Sequence, residues 1–459
     1  MTGPVFAIIA LALIGLPLFC VLSGIGLAGL HHEQSPLSGA IADVYRLAGA
    51  EAVSLSTIPL FTFAGYLMAS AKTAQRLIRM AKALFGWMPG GLAVMTVLTC
   101  AFFTTFTGAS GVTIVAVGGL ILPQLLKERY HRRFSLEVVT GSGAVGLLFP
   151  PSLPLIVYGI VFGLTYGNFA KGSEGLPEFS IERFLFAGAI PGLVLVAMLS
   201  VYCVLMGRVY QVPRNRIDLG EFLRALWEAK WEVPIPFGII LSLKYGIANI
   251  PESAALTALY VFVVEVLIYR DVDLRRDLVR IARESMTLVG AIFVKIAGAT
   301  ILTAYFVDAG VPQALFDWMG QYVHSKAAFL LVMNLVLLIV GCLMDIFSAI
   351  VVVVPLIVPA ATTFGIDPYH LGVIFLLNLE IGYLLPPAGL NLFIAAFRFN
   401  RPITELYRAV VPFILIMFAA LMLTTYVPSL TAASLRLLAP ATQHHAPPPA
   451  AEAPLPELP

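Results

Sequence analysis

The sequence predicts an all-α polytopic membrane protein of two inverted structural repeats, each with a re-entrant helical hairpin and a Pro-Pro-broken helix. Three observations predict it. The 459 residues are 59% hydrophobic and 12% charged, with mean hydropathy +0.92, whereas soluble domains are about 25% charged. The stretch Gly146-Leu-Leu-Phe-Pro150-Pro151-Ser152 returns as Gly382-Tyr-Leu-Leu-Pro386-Pro387-Ala388 at an offset of 236. The same offset sets Leu120-Ile121 and Pro123 on Leu356-Ile357 and Pro359. Finally, lysine and arginine fall on alternate connections of the chain.

Apolar stretches able to cross roughly 30 Å of hydrocarbon lie near 4–30, 52–71, 136–166, 185–207, 233–250, 252–269, 284–306, 370–397 and 409–427. The first lacks a basic segment before it and exceeds a signal-peptide core, so it reads as a retained helix. Residues 72–85 carry Lys72, Arg76, Arg79 and Lys82 against Leu77, Ile78, Ala81 and Leu84. That pattern predicts an amphipathic helix on the membrane interface, with a solvated loop as the alternative. Residues 208–232 look similar, with Trp227 and Trp231 as interfacial anchors. Glu265, near the end of its span, is expected to reach the interface. From Ala439 to Pro459 the chain is rich in Pro and Ala, which predicts an extended, disordered tail.

Two apolar blocks, 90–126 and 327–363, are too long for one helix. Each is interrupted at its middle, by Thr107-Gly-Ala-Ser-Gly111 and by Asp345-Ile-Phe-Ser348. Both read as hairpins whose tips stop inside the membrane. With the hairpins returning to the side they entered, one side of the membrane carries 21 Lys and Arg and the other 5. The positive-inside rule then places the N-terminus in the cytoplasm and the C-terminus outside. Five spans separate the hairpins. An odd number makes the two repeats inverted.

Paired, interrupted hydrophobic segments in corresponding halves point to the binding site of a secondary transporter. Two prolines remove two backbone donors, and the freed carbonyls survive in hydrocarbon only against protein or a cavity. Carbonyls and hydroxyls suit a small hard cation such as Na⁺, while half-helix N-termini attract an anionic substrate. Thr107, Gly108 and Ser110 with Gly146, Phe149 and Pro150 form one candidate sodium site. Small residues there also suit close helix packing. Asp345, a carboxylate at mid-depth, needs a partner. A cation held with Ser348, Gly382, Leu385, Pro386 and Gly389 supplies one, and capping the returning helix is a compatible role. Ser152, Asn378, Glu380 and Asn391 flank the breaks as candidate substrate contacts. Interhelical hydrogen bonding is the alternative for both asparagines, and a neighbouring helix for Glu380. Lys295, in the middle of its span, either neutralises a substrate carboxylate, pairs with a side-chain carboxylate or snorkels.

Other chemistries find no support. No Walker A sequence is present for ATP. His31-His32-Glu33 is not a zincin pattern, and Cys20, Cys100, Cys203 and Cys342 sit in apolar runs without metal-ligand spacing. His444 and His445 are too few to argue for a metal. The net charge of +2 says nothing for nucleic acid. A membrane enzyme requires convergent acid, base or metal ligands at one depth, and none converge here. A passive scaffold leaves the paired breaks unexplained.

At these motifs the chain resembles the large membrane subunit, of DctM type, of tripartite ATP-independent periplasmic (TRAP) transporters. The resemblance rests on Gly108-Ala-Ser-Gly111, Gly146–Ser152, Gly365-Ile-Asp-Pro368, Asn378-Leu-Glu-Ile-Gly382 and Pro386-Pro-Ala-Gly-Leu-Asn-Leu-Phe393. Weaker matches are Ile58-Pro-Leu-Phe61, Pro89-Gly-Gly-Leu92 and Pro251-Glu-Ser-Ala254. It implies an elevator-type fold of the ion-transporter superfamily in the bacterial inner membrane. Na⁺ is then the coupling ion, with no other cofactor. A small four-helix membrane subunit and a periplasmic substrate-binding protein are the partners, and the substrate is a carboxylate-bearing organic acid. Ala109, Leu385 and Ile346 stand where the family commonly has Ser, Thr and Pro. On this reading 86–168 and 327–398 are the two transport repeats. Residues 1–85 and 169–283 are scaffold, 284–326 a connecting span and periplasmic segment, 399–430 a C-terminal span and 431–459 the tail. A binding-protein-independent divalent-anion symporter of related architecture is the closest rival.

Overall fold

The structure is a computed structural model and describes residues 15–49, 55–170, 179–212, 218–311, 314, 323 and 325–439. Every regular element among the described residues is helical. Helices α1 (Leu18–His32), α2 (Leu37–Gly49), α3 (Thr57–Ser70) and α4 (Thr73–Phe85) lead into the first hairpin. That hairpin is α5 (Gly91–Thr107) and α6 (Ser110–Lys127). The first broken helix is α7 (Arg132–Leu148) and α8 (Leu153–Ala170), bent by 43°. Next come α9 (Ile181–Ala187), α10 (Ala189–Val209), α11 (Leu219–Glu228), α12 (Pro234–Lys244), α13 (Ile250–Ile268) and α14 (Asp277–Asp308). The second hairpin is α15 (Lys326–Leu343) and α16 (Ile346–Thr363), and the second broken helix α17 (Pro368–Gly382) and α18 (Leu390–Phe399). Helices α19 (Ile403–Tyr426) and α20 (Ser429–Leu438) finish the described chain. Among the described residues seven helices are long and apolar enough to span a membrane, eight with the bent pair taken as one.

The repeat offset holds at helix boundaries. Thr107 and Leu343 end the first arms of the hairpins, Ser110 and Ile346 begin the second, and Lys127 and Thr363 end them. Arg132 and Pro368 then begin the broken helices. Every pair is 236 residues apart, and both Pro-Pro bonds are cis. The unit is longer than the motifs suggest. His32 and Ile268, ending α1 and α13, are again 236 apart, and α3 falls on residues 293–306 of α14. The first helix of each repeat packs on the second helix of the other: α1 along α14, and α13 along α3.

Hydrogen bonds show the inversion. The open end of the first hairpin meets basic residues, with Lys82 paired to Glu128 and Arg132 to Glu405 at the start of α19 (3.1 Å). The open end of the second lies at the far end of α19, where the Tyr426 hydroxyl donates to the Ala327 carbonyl (3.4 Å). The expected span at 233–250 is shorter, since eleven residues of α12 rise only about 16 Å. Its start is tied to α13, because the Tyr260 hydroxyl donates to the Trp231 carbonyl (2.8 Å). A turn over 245–249 then leads back into α13.

Two helices outside the repeats pack on them. Helix α10 packs on α5 and on the end of α7, and α19 packs on α7, α10 and α17. Both thus touch elements of the repeats, although the sequence places 169–283 in the scaffold and 399–430 as a C-terminal span. Their small and apolar faces fit the hairpin body; hydropathy alone reports depth and not neighbour. Helix α20 was unanticipated, and its Ser434 hydroxyl donates to the Phe186 carbonyl (2.6 Å). The predicted disordered tail lies outside the described residues from 440 onward, as does the N-terminal run before 15.

The amphipathic helix forms at α4 but is packed against protein: its apolar face covers α5 and its basic face meets α11. Arg76 reaches Glu232, Glu265 (2.9 Å) and Asp271, and lies 3.9 Å over the Tyr269 ring. Glu265 therefore does not snorkel to the interface. It is buried, and the Thr73 hydroxyl donates to it at 2.6 Å. Burial raises the Glu232 carboxyl above its ordinary value, with the Arg76 charge opposing. Trp227 remains exposed on α11, as an interfacial anchor requires.

Removing Arg76 strands Glu232 and Glu265, both nearly out of water, while Asp271 keeps Lys72 at 3.6 Å. Breaking such a pair costs about 3–5 kcal/mol. Arg76→Ala is expected to lower the melting temperature of the purified protein sharply, with Arg76→Lys between it and wild type. An unchanged melt in Arg76→Ala removes this cluster from the stability of the fold.

Candidate functional site

At the first tip α5 ends in Gly108, whose φ of +60° favours glycine. Its helix-ending N–H donates to the Thr104 carbonyl (2.8 Å). The broken helix is seated against this hairpin so closely that a Cβ on Gly146 would lie 2.1 Å from the Ala101 carbonyl oxygen. Threonine hydroxyls of α5 reach carbonyls of the turn before the break. Thr104 donates to the Gly143 carbonyl (2.7 Å) and Thr105 to that of Gly146 (3.1 Å). The Phe149 carbonyl accepts from the Ser152 N–H (2.9 Å). Thr107 and Thr113 hydroxyls approach to 3.4 Å, and Pro150, Pro151 and Ser152 are buried.

The second tip repeats the seat with different chemistry. A Cβ on Gly382 would lie 2.5 Å from the Gly341 carbonyl carbon in α15. The Leu385 carbonyl accepts from the Gly389 N–H (3.0 Å) and from the Cys342 thiol (3.2 Å). Pro386 and Pro387 are exposed. Asp345 caps α16, accepting from the Ser348 N–H (3.2 Å) and from the Ser348 hydroxyl. Its other partner is Lys295 of α14, with Nζ 2.9 Å from Oδ2. Of the roles open to Lys295, pairing with a side-chain carboxylate is the one present in this structure. Tyr383 supplies a further contact, its hydroxyl accepting from the Ile346 N–H.

Both tips open on one cavity of about 670 Å³. Gly108 to Val112 and Asp345 to Phe347 form one wall; Tyr66, Ala69 and Ser70 of α3 and Glu284, Leu288 and Lys295 of α14 form the other. The wall is mostly apolar, with Lys295 and Asp345 facing each other at partial exposure. Ser70 ends α3 beside Lys72, and Glu284 lies in the early turns of α14. The cavity therefore runs from the tips toward the basic end of the molecule.

Of the sequence candidates, Gly108, Ser110 and Asp345 line this cavity, and Ser348 bonds to Asp345. The four expected substrate contacts, Ser152, Asn378, Glu380 and Asn391, do not. Helix α17 is buried on all sides, so its polar residues face neighbouring helices. The Asn378 amide donates to Asn334 (2.8 Å) and to the Ile374 carbonyl (2.8 Å). Glu380 is fully buried away from the cavity. Asn391 accepts from the Ser110 hydroxyl (2.7 Å). Ser152 is buried within the first break. Sequence reasoning missed Thr104, Thr105, Tyr383 and Cys342. The hydroxyls in an otherwise apolar α5 were the available signal for the first two.

The geometry can be set beside known proteins. Residues 5–430 match the family model described as tripartite ATP-independent periplasmic transporter, DctM component. The C4-dicarboxylate TRAP transporter large permease protein of Rhodobacter capsulatus is 34% identical over 435 residues, covering 94% of this chain and 98% of that one. The isethionate TRAP transporter permease protein DctMQ of Oleidesulfovibrio alaskensis is 32% identical over 413 residues, covering 89% of this chain and 62% of that longer protein. Among solved structures, the YdaH transporter of Alcanivorax borkumensis, described as having an unusual topology, superposes with a TM-score of 0.62 at 14% identity. The match covers 93% of this chain and 98% of that one. At that identity the likeness concerns the fold. The chain is a multi-span membrane protein of the DctM component family of tripartite ATP-independent periplasmic transporters, whose members are transport permeases and not enzymes.

Proposed function

We propose that this chain imports a carboxylate-bearing organic acid with Na⁺ across the bacterial inner membrane. It acts as the large subunit beside a small four-helix membrane subunit and receives substrate from a periplasmic binding protein. The observation that carries this reading is the ion pair between Lys295 and Asp345 on the wall of the cavity shared by both hairpin tips. An ammonium at the end of an apolar cavity suits an incoming carboxylate, which competes with Asp345 for it. The relatives' names, C4-dicarboxylate and isethionate, agree in being anions. A permease named DctMQ, longer than this chain, fits a large subunit that works with a smaller one.

Sodium is assigned to the tips. Thr107, Gly108 and Ser110 face the first break, and Asp345 and Ser348 face the second. Once a substrate carboxylate takes Lys295, the Asp345 carboxylate is left facing a cation. An elevator motion is supported by the packing: the hairpins with α7–α10 and α17–α20 form one body, and α1, α3, α13 and α14 another. The 21 basic residues then mark the cytoplasmic side, with the N-terminus cytoplasmic, the C-terminus periplasmic and the cavity open inward.

The test is uptake into proteoliposomes under an inward Na⁺ gradient, with this chain alone and with its two partners. Uptake that needs all three proteins and sodium supports the reading; uptake by this chain alone overturns its tripartite part. A lost charge-assisted bond is worth about 1.5–3 kcal/mol, roughly 10- to 150-fold. Lys295→Ala is therefore expected to raise the substrate KM by about tenfold or more, with Lys295→Arg recovering much of it. A wild-type KM in Lys295→Ala excludes Lys295 as the anchor. Asp345→Asn is expected to abolish the sodium dependence while the protein still inserts. Retained sodium dependence in that variant moves the cation elsewhere.

A further inference from the structure

The two tips are joined by a continuous run of hydrogen bonds through the second break. At the first tip the Ser110 hydroxyl donates to the Asn391 side-chain carbonyl at 2.7 Å. The Asn391 backbone N–H donates to the Tyr383 carbonyl at 3.2 Å. The Tyr383 hydroxyl accepts from the backbone N–H of Ile346, the residue after Asp345 at the second tip. Four residues thus connect the tips, and each is 4% exposed or less.

The repeat does not require this connection. At the offset of 236, Asn391 corresponds to Leu155 and Tyr383 to Leu147. The same positions in the first half are therefore filled by apolar side chains, which cannot form the corresponding link. Burying an asparagine and a tyrosine costs free energy unless each is bonded. Here the bonds run from one tip to the other instead of closing within one repeat. The Asn391 Nδ2 has no acceptor among the described residues, so simple satisfaction of the amide does not account for its presence. Buried in a low-dielectric body, such a chain transmits a small shift at one end with little loss to solvent.

We propose that Asn391 and Tyr383 are positioning residues coupling the two candidate cation sites, so that sodium at one tip raises the affinity for sodium at the other. This rests on the sodium reading above. When a cation orders the Thr107–Ser110 turn, the Ser110 hydroxyl holds Asn391, and through the Tyr383 carbonyl it holds the second break. The Tyr383 hydroxyl then holds the Ile346 N–H, which fixes the turn that carries Asp345. Linkage makes the effect reciprocal. The device suits a symporter, since partly loaded forms become scarce and slippage falls.

The experiment is a sodium titration of uptake in proteoliposomes holding the complete transporter. Wild type, Tyr383→Phe, Asn391→Ala and the double variant are compared. Wild type is expected to show a Hill coefficient for sodium well above 1. Each single variant is expected to fall toward 1, with half-saturating sodium rising about fivefold or more, as couplings of ordinary size predict. The double variant should add little to the worse single, because both cut one chain. Maximal rate is not the readout, since a merely structural defect lowers it too. Tyr383→Phe removes one oxygen and keeps the ring, which guards against a misfolded Asn391→Ala. Sodium-dependent uptake with the wild-type Hill coefficient in Tyr383→Phe overturns the coupling alone. Sodium-independent uptake by wild type overturns the sodium reading and the coupling with it.

Discussion

A backbone carbonyl released inside hydrocarbon has no water to accept from, and the Pro-Pro pairs at 150–151 and 386–387 release several at once. Protein must come to each break. In the first half the Gly146 carbonyl, which Pro150 leaves without its helical donor, accepts from the Phe149 N–H and lies 3.1 Å from the Thr105 hydroxyl of α5. In the second the Gly382 carbonyl accepts from the Leu385 N–H and the Tyr383 carbonyl from the Asn391 N–H. In both halves the broken helix lies almost against the hairpin, and Gly146 and Gly382 are the residues that allow it. The hairpins thus shield the breaks by close packing. Where they stop, at Gly108 and at Asp345, is where the cavity begins.

Charge follows the same logic in the other body. Arg76 draws three carboxylates from separate parts of the chain onto one buried guanidinium, clamping α4 to the end of α13 and to the residues before α12. That leaves Lys295 as the basic residue on the cavity wall, where its partner is an acid from the opposite body. The Arg76 cluster is buried, whereas α14 meets α16 through packing and one partly exposed pair, Lys295 with Asp345. An exposed pair is the weaker sort, which suits a contact that has to be exchanged.

Much of this was legible in sequence. The hairpins turn where Thr107–Gly111 and Asp345–Ser348 interrupt the apolar runs, because small and capping residues are local signals that act within a turn. The offset of 236 reached the helix boundaries because a gapless repeat preserves register. What sequence did not show was direction around a helix. Asn378 and Glu380 lie near a break, but α17 is enclosed, and a polar residue on an enclosed helix reads the same whether it faces a cavity or a neighbour. The Ser110–Asn391 bond joins residues 281 positions apart, beyond any periodicity. Glu265 and Arg76, 189 apart, are the same case: hydropathy reported a charge near an interface, and only the fold reveals its partner.

The departure from two-fold symmetry is informative in its own right. In the second repeat, α14 packs on α16. The offset makes α3 the counterpart of α14 and α6 the counterpart of α16, so a symmetric molecule would pack α3 on α6 equally well. Instead Tyr66, Ala69 and Ser70 of α3 and Val112, Val115 and Ala116 of α6 face each other across the cavity. One contact is closed and its twin is open. Because the repeats are inverted, the open contact faces the basic end of the molecule and the closed one the other. Exchanging the two, by sliding the hairpin body until α6 meets α3 and α16 leaves α14, would close the cavity at one end and open its counterpart at the other. On the proposed function that exchange is the transport step. Lys295 and Asp345, at the closed contact, must part for it to occur.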